Sequence, residues 1–371
     1  MIPVNTPILG GNEKKYLNEC IDTGWISSEG PFVKRFEEQM AAYVERKYAT
    51  ACANGSAALD LAVKALGLQE GDEVIMPSFT IISCAQSLVN QSLKPILIDC
   101  HFDTFNMKVD DIEPAITSQT KAIMIVHIYG LSVDIDPILL IAKKYNLKII
   151  EDAAEVLGQT YKGKKCGSFG DVSTFSFYPN KHITTGEGGM VLTNDYEINN
   201  KLKSARNLCF STDIEKRFIH EDLGWNYRMT NIQASLGVAQ LEQIEKFLEK
   251  KRQIGYTYNK LLSGIKSINL PITHLDYCEN IYWVYALTIK DECNLTAKEV
   301  MSKLAEMGIS TRPFFYPMHK QPVFNKKGFF QNEEYPNATK LYERGFYIPS
   351  GLGLLDVQID KISNALHEIF K

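Results

Sequence analysis

The chain has 371 residues, 45% of them hydrophobic, with 40 basic and 44 acidic side chains and a formal net charge of -4. That length can bury a large core and is expected to divide into one large and one smaller domain. The charge balance and the lack of basic clusters argue against nucleic-acid binding, and no apolar run reaches the ~18 residues a bilayer span needs. Residues 1–5 have neither the basic stretch nor the apolar run of a signal peptide. The eight cysteines are scattered, with no Cys-x-x-Cys pair, which suits a reducing cytoplasm.

Taken in order, residues 11–23 are predicted to form a helix with Tyr16, Leu17, Cys20 and Ile21 on one face. Residues 24–30 follow as a loop whose Trp25 and Ser27 are suited to contact a substrate, or to pin the first helix to the body. From 31 to 67 the pattern is helix, short strand, helix. The run from Tyr48 through Gly55 and Ser56 leads a strand into a helix. Backbone amides and the positive helix end would meet there, as in a phosphate site; a plain serine-capped helix reads the same way. Short apolar strands at 72–76, 95–99, 121–127 and 147–152 alternate with helices at 81–91 and 137–145, the signature of a mainly parallel sheet covered on both faces. His127 ends one of these strands and reads as a structural histidine. Asp152 ends another, where open α/β sheets bind ligands, although a helix-capping aspartate fits equally.

Residues 173–192 read as strand, turn, strand, with Lys181 in a break made of Pro179, Asn180, Gly186, Gly188 and Gly189. A lysine held between buried strands loses hydration, which favours the neutral nucleophilic amine. Such an amine can capture a carbonyl cofactor such as pyridoxal phosphate as a Schiff base, for which an anion beside the ring nitrogen is also needed. A helix at 195–208 and a polar stretch, Asn207–Asp222, precede a loop at 224–230. One long helix is expected from Asn231 to Leu262, linking a large domain, 1–263, to a small α+β domain, 264–371. The latter would hold a strand at 282–289, a helix at 296–307 and a final helix at 356–370.

The strings at 24–28, 71–78, 150–154, 183–190, 224–234 and 312–319, with the phosphate helix, aspartate and lysine in that order, resemble the sugar aminotransferases of the fold type I (aspartate aminotransferase) superfamily. The resemblance covers nearly the whole chain and comes nearest to the nucleotide-sugar 4-aminotransferases that make GDP-perosamine. It implies an α/β fold with pyridoxal 5'-phosphate on Lys181 and Asp152 behind the ring nitrogen. It also implies Gly55, Ser56 and Ser176 at the phosphate, Ala154 on one ring face and Glu155 near the ring hydroxyl. Relatives carry an aromatic where this chain has Ile81, so either an aliphatic side chain packs on that face or Phe79 takes its place.

The same resemblance implies a homodimer with shared sites, or a tetramer built from it. Asn226 would reach the partner's phosphate and Arg228 would act beside it. Arg228, with Trp25, Ser27, Arg312, Tyr316 and His319, would contact substrate. Lysine rather than histidine at 181 favours transamination over dehydration. L-glutamate is the implied donor and GDP-4-keto-6-deoxymannose the implied acceptor, with dTDP- or UDP-linked 4-keto or 3-keto sugars as alternatives. The product would feed surface polysaccharide such as O-antigen. A non-catalytic or regulatory relative is the reading from another class, and an intact Lys181 and Asp152 argue against it.

Overall fold

The computed structural model describes residues 1–211 and 213–371; Thr212, within the polar stretch 207–222, lies outside the described residues. Seven strands build the main sheet: β1 Tyr48–Cys52, β2 Glu73–Pro77, β3 Lys94–Ile98, β4 Thr120–Val126, β5 Lys148–Asp152, β6 Val172–Ser176 and β7 Gly189–Thr193. Their order is β1-β7-β6-β5-β4-β2-β3. β7 pairs antiparallel with both β1 and β6, while the other pairings are parallel. The reversal has a simple cause: β7 follows β6 through a turn, without the helical crossover that a parallel neighbour requires. Every residue of β2 and β7 is buried, as expected for strands covered on both faces.

The covering helices carry their apolar residues inward. On one face, α1 (Glu13–Thr23) and α2 (Pro31–Tyr43) bring Cys20, Phe36 and Met40 against Phe175 and Phe177. On the other, α3 (Gly55–Ala65) and α4 (Ile82–Val89) pack Leu59, Leu61, Cys84 and Leu88 against Val74, Met76 and Met124. α5 (Ile135–Tyr145) and α6 (Tyr196–Arg206) complete the two layers.

The single long helix expected at 231–262 is two. α7 (Asn231–Leu241) starts at a Thr230–Gln233 capping box and stops before Glu242 and Gln243; α8 (Ile244–Leu262) then sets off anew. Glu242 is held there by Tyr16, Arg35 and Asn12, whose hydrogen bonds fix the corner. After the break, Phe247 and Leu248 stay in the main core, whereas Ile254, Tyr258 and Leu262 enter a second one.

That second core lies against a four-stranded antiparallel sheet in the order β8-β9-β11-β10: β8 Ile268–Asn269, β9 Tyr285–Ile289, β10 Arg312–Pro313 and β11 Gly345–Ile348. Three helices accompany it, α9 (Ala297–Glu306), α10 (Pro336–Arg344) and α11 (Asp356–Ile369). The strand expected from 282 begins only at Tyr285, because Tyr282 takes a left-handed backbone (φ 49°) that ends regular pairing and turns Trp283 toward the main sheet.

Lys251 of α8 is buried between the two cores and donates to the carbonyls of Trp283 (2.9 Å) and Ser350 (2.5 Å). Burial without a carboxylate partner brings its ammonium down to about 7. Above that pH the unfolded chain holds a proton that the folded chain lacks, up to the ordinary lysine value of about 10.4. Folding stability should therefore rise across this window. Lys251→Met is expected to flatten that rise, measured as the difference in thermal unfolding between about pH 7 and about pH 9.

Candidate active site

The carboxyl ends of β4, β5 and β6 and the N-terminus of α3 enclose a cavity of about 470 Å³. This is where open α/β sheets leave a crevice, because the strands end there and the helices diverge. A wider groove of about 940 Å³ lies elsewhere, beside α10, but its Lys340 is paired with Asp291 and its Arg344 caps main-chain carbonyls.

At the cavity floor Asp152, last residue of β5, is 3% exposed. Its Oδ1 accepts from the Ala154 amide (3.1 Å) and the Thr174 hydroxyl (3.3 Å), while its Oδ2 meets the Cys84 thiol of α4 at 3.3 Å. The carboxylate is therefore held in one orientation. Lys181 stands on the β6–β7 turn, closed by its amide donating to the Tyr178 carbonyl. Its Nζ lies 3.9 Å from Glu155 Oε1 and 3.8 Å above the centre of the Trp283 ring. The other Glu155 oxygen accepts from the Tyr129 amide at 2.8 Å.

Burial lowers the affinity of the Lys181 amine for its proton, opposed by Glu155, Asp152 and Cys84. Burial likewise raises Glu155, to about 8, opposed by Lys181 and the Tyr129 amide and reinforced by Asp152. Both directions favour the neutral pair. A neutral amine is the form that attacks a carbonyl carbon.

The opposite end of the cavity is built for an anion. The N-cap of α3 is Asn54, whose side chain accepts from the Ala57 amide at 2.8 Å, so Ser56 is not the capping serine. Its hydroxyl instead meets Ser83 Oγ at 2.8 Å, beside Ser176. The first amides of a helix have no acceptor within it and, with the helix dipole, attract a phosphate. Two glycines permit this close approach. A Cβ on Gly55 would come within 2.8 Å of Ser176 Cβ, and one on Gly189 within 2.2 Å of the Asn54 carbonyl oxygen. Asn180 Oδ1, on the cavity wall, is buried without a partner. Amine, acid and anion cradle thus fit pyridoxal phosphate: one group for its aldehyde, one for its ring nitrogen, one for its tail.

Gly55, Ser56, Ile81, Asp152, Ala154, Glu155, Ser176 and Lys181 all line this one cavity. Ile81 faces it; Phe79 does not, being fully buried among Tyr129, Phe314 and Phe315. The remaining candidates do not line it. Asn226 pairs with Asn207, to which Arg228 also donates. Trp25 is half exposed, and its carbonyl, like that of Ser27, is tied to Asn231. Arg312 is exposed on β10, its guanidinium donating to the Thr311 carbonyl, and Tyr316 packs edge-on against Tyr342. His319 departs furthest from a substrate-contacting role. It is buried, with Nδ1 at 2.8 Å from the Ser78 hydroxyl and Nε2 at 3.3 Å from that of Thr339, and burial takes its pKa down to about 4. Such a ring braces β2 against α10.

His127 is structural, as expected. Its Nδ1 accepts from the Val133 amide and its Nε2 lies 3.2 Å from Glu151. With Cys166 these two resemble a metal site, but Glu151 already accepts from the amides of Gly167, Phe169 and Gly170.

Trp283, Asn180, Thr174, Phe315 and Tyr347 also line the cavity and Cys84 supports Asp152 from behind it, roles that were not legible in the sequence. A tryptophan in the run 282–289 reads as core, and nothing in the spacing of α4 marks Cys84 as a neighbour of Asp152.

A family model described as the DegT/DnrJ/EryC1/StrS aminotransferase family matches residues 7–367. A GDP-perosamine synthase of Caulobacter vibrioides is 42% identical over 99% of this chain and 98% of its own length. One from Escherichia coli O157:H7 is 40% identical over 100% and 98%. Among solved structures, the PLP-form of the putative sugar aminotransferase Spr1654 from Streptococcus pneumoniae superposes with a TM-score of 0.90 at 25% identity, covering all of both chains. With a match of this extent laid over the lysine, aspartate and helix end just described, the chain belongs to the DegT/DnrJ/EryC1/StrS aminotransferase family.

Proposed function

We propose that this chain carries an amino group, by way of pyridoxal 5'-phosphate, from L-glutamate to the keto carbon of a nucleotide-linked 4-keto-6-deoxyhexose. GDP-4-keto-6-deoxymannose is the first choice of acceptor, giving GDP-perosamine for polysaccharide synthesis. One observation carries the reading: the amine of Lys181, on a side chain 12% exposed, shares a cavity with Asp152 and the N-terminus of α3. The two relatives named GDP-perosamine synthase support the choice of sugar.

When bound, pyridoxal phosphate supplies an electron sink that makes the donor's α-hydrogen acidic. The chain's own groups do the rest. Asp152, fixed by Thr174 and Ala154, would keep a proton on the ring nitrogen. The amides of Gly55 and Ser56 with the hydroxyls of Ser56 and Ser176 would hold the phosphate, Glu155 would serve the ring hydroxyl, and Ala154 and Ile81 would pack on the ring. Lys181 Nζ would hold the cofactor's aldehyde at rest and, as a free amine, would carry the proton taken from the donor's α-carbon.

The subsites for the sugar nucleotide belong to Trp25, Ser27, Arg312 and Tyr316, whose exposure outside the cavity suits a rim. Asn226 and Arg228 are assigned to the cavity of a second copy in a homodimer. The exposed Phe218, Ile219 and Leu223 nearby support that, since such residues rarely stay in water together. The division at 263/264 follows the second sheet. No helix among the described residues is long and apolar enough to cross a membrane, in keeping with a cytoplasmic setting.

The deciding assay offers glutamate with GDP-, dTDP- and UDP-linked 4-keto sugars and follows 2-oxoglutarate. Release is expected with the GDP sugar; turnover of 3-keto sugars alone would overturn the substrate and leave the chemistry. Ile81→Tyr is expected to tighten cofactor binding about two- to tenfold by adding a stacked ring, read from titration of the cofactor-free chain.

A further inference from the structure

We propose that Trp283 is a positioning residue that receives the freed amine of Lys181 on its indole face and favours its proton-loaded form. This rests on the aminotransferase reading above and adds a residue to it.

The indole is fixed on several sides. It is 5% exposed, tilted against Tyr129 with ring centres 5.8 Å apart, and its main-chain carbonyl is held by Lys251 Nζ. Its Nε1–H donates to the carbonyl of Asn180 at 2.8 Å, the residue directly before Lys181. One side chain therefore fixes both the turn that carries the lysine and the resting place of its amine, 3.8 Å below Nζ. No sheet requirement puts a tryptophan here: β9 begins two residues later, and the left-handed Tyr282 redirects the chain to bring the ring over the amine.

The chemistry supplies the reason. When Lys181 is displaced by the donor, its Nζ must accept one proton from carbon and release it again without drifting away. In a dry cavity the resulting ammonium is costly. The titratable groups facing it are Glu155, Asp152 and Cys84; the adjacent His182, taken down to about 3 by burial, stays uncharged. An aromatic face within about 6 Å attracts a cation, most strongly when water is excluded, with Trp better than Phe. Trp283 thus offsets burial at the step where Nζ carries charge, and leaves the neutral amine free to leave.

The test uses the full chain without cofactor. Lys181 is arylated with fluorodinitrobenzene across a pH series, and its label is counted by peptide mass spectrometry, for wild type, Trp283→Phe and Trp283→Leu. Only the neutral amine reacts, so a lost cation–aromatic contact lowers the amine's pKa and speeds labelling near neutrality. About three- to tenfold faster labelling is expected for Trp283→Leu, with Trp283→Phe between it and wild type. Three coincident pH profiles would overturn the proposal, because a purely structural tryptophan would not move the titration. If circular dichroism shows the leucine chain unfolded, wild type against Trp283→Phe decides in the same way. Failure of the wild-type chain to take up pyridoxal phosphate would instead count against the aminotransferase reading.

Discussion

Lys181→Ala is expected to lose the protein-bound yellow chromophore that wild type gains with pyridoxal phosphate, and to slow 2-oxoglutarate formation by about 10³–10⁴-fold. The size follows from two tasks falling on one atom. On the proposed reading Nζ captures the cofactor's aldehyde, and among the described residues it is the only amine lining the cavity that can carry a proton between the reacting carbons. Arginine at this position would keep a cation but no nucleophile, so Lys181→Arg is expected to fail similarly. The protein itself should tolerate the change, since Lys181 sits in a turn and, among the described residues, its head group makes no close hydrogen bond; Glu155 Oε1 lies 3.9 Å away. Matching thermal unfolding of wild type and variant, beside the lost chromophore, is the expected result. Retention of the chromophore in Lys181→Ala would sink the assignment.

Asp152→Asn is expected to cut kcat by about 10²–10³-fold while cofactor is still taken up. The amide keeps the shape, and its oxygen can still accept from Ala154 and Thr174. What disappears is the negative charge that keeps a ring nitrogen protonated. The phosphate cradle is untouched, so affinity should fall far less than turnover. A split of this kind, kcat lost and binding largely kept, separates an electrostatic role from a structural one. Equal losses in both would mean that Asp152 chiefly shapes the floor, where its buried position against Cys84 is the alternative source of its effect.

Much of this was legible in the chain because local rules and global fold agree over long stretches. Apolar runs of five to seven residues ending in Asp152 or Ser176 gave the parallel sheet and put two chemical groups at its carboxyl edge. The cluster of glycines around Lys181 marked the turn, and Gly189 proved to be needed for backbone contact with Asn54.

What the sequence did not reveal shares one cause. Residues 231–262 carry an unbroken helical pattern, and only the distant partners Asn12, Tyr16 and Arg35 reveal the corner at Glu242. His319 stands in the motif with Arg312, and the partners of its two nitrogens, Ser78 and Thr339, are 241 and 20 positions away. Trp283 reads as a core strand residue until Tyr282 is seen to reverse the backbone.

By itself, then, the order of amino acids determined the sheet and placed Lys181, Asp152 and the start of α3 at its carboxyl edge, because each is written in neighbouring residues. Only the tertiary structure decided what surrounds the amine. Trp283 and Cys84 converge on Lys181 and Asp152 from separate elements, and burial in their midst lowers the affinity of the Lys181 amine for its proton.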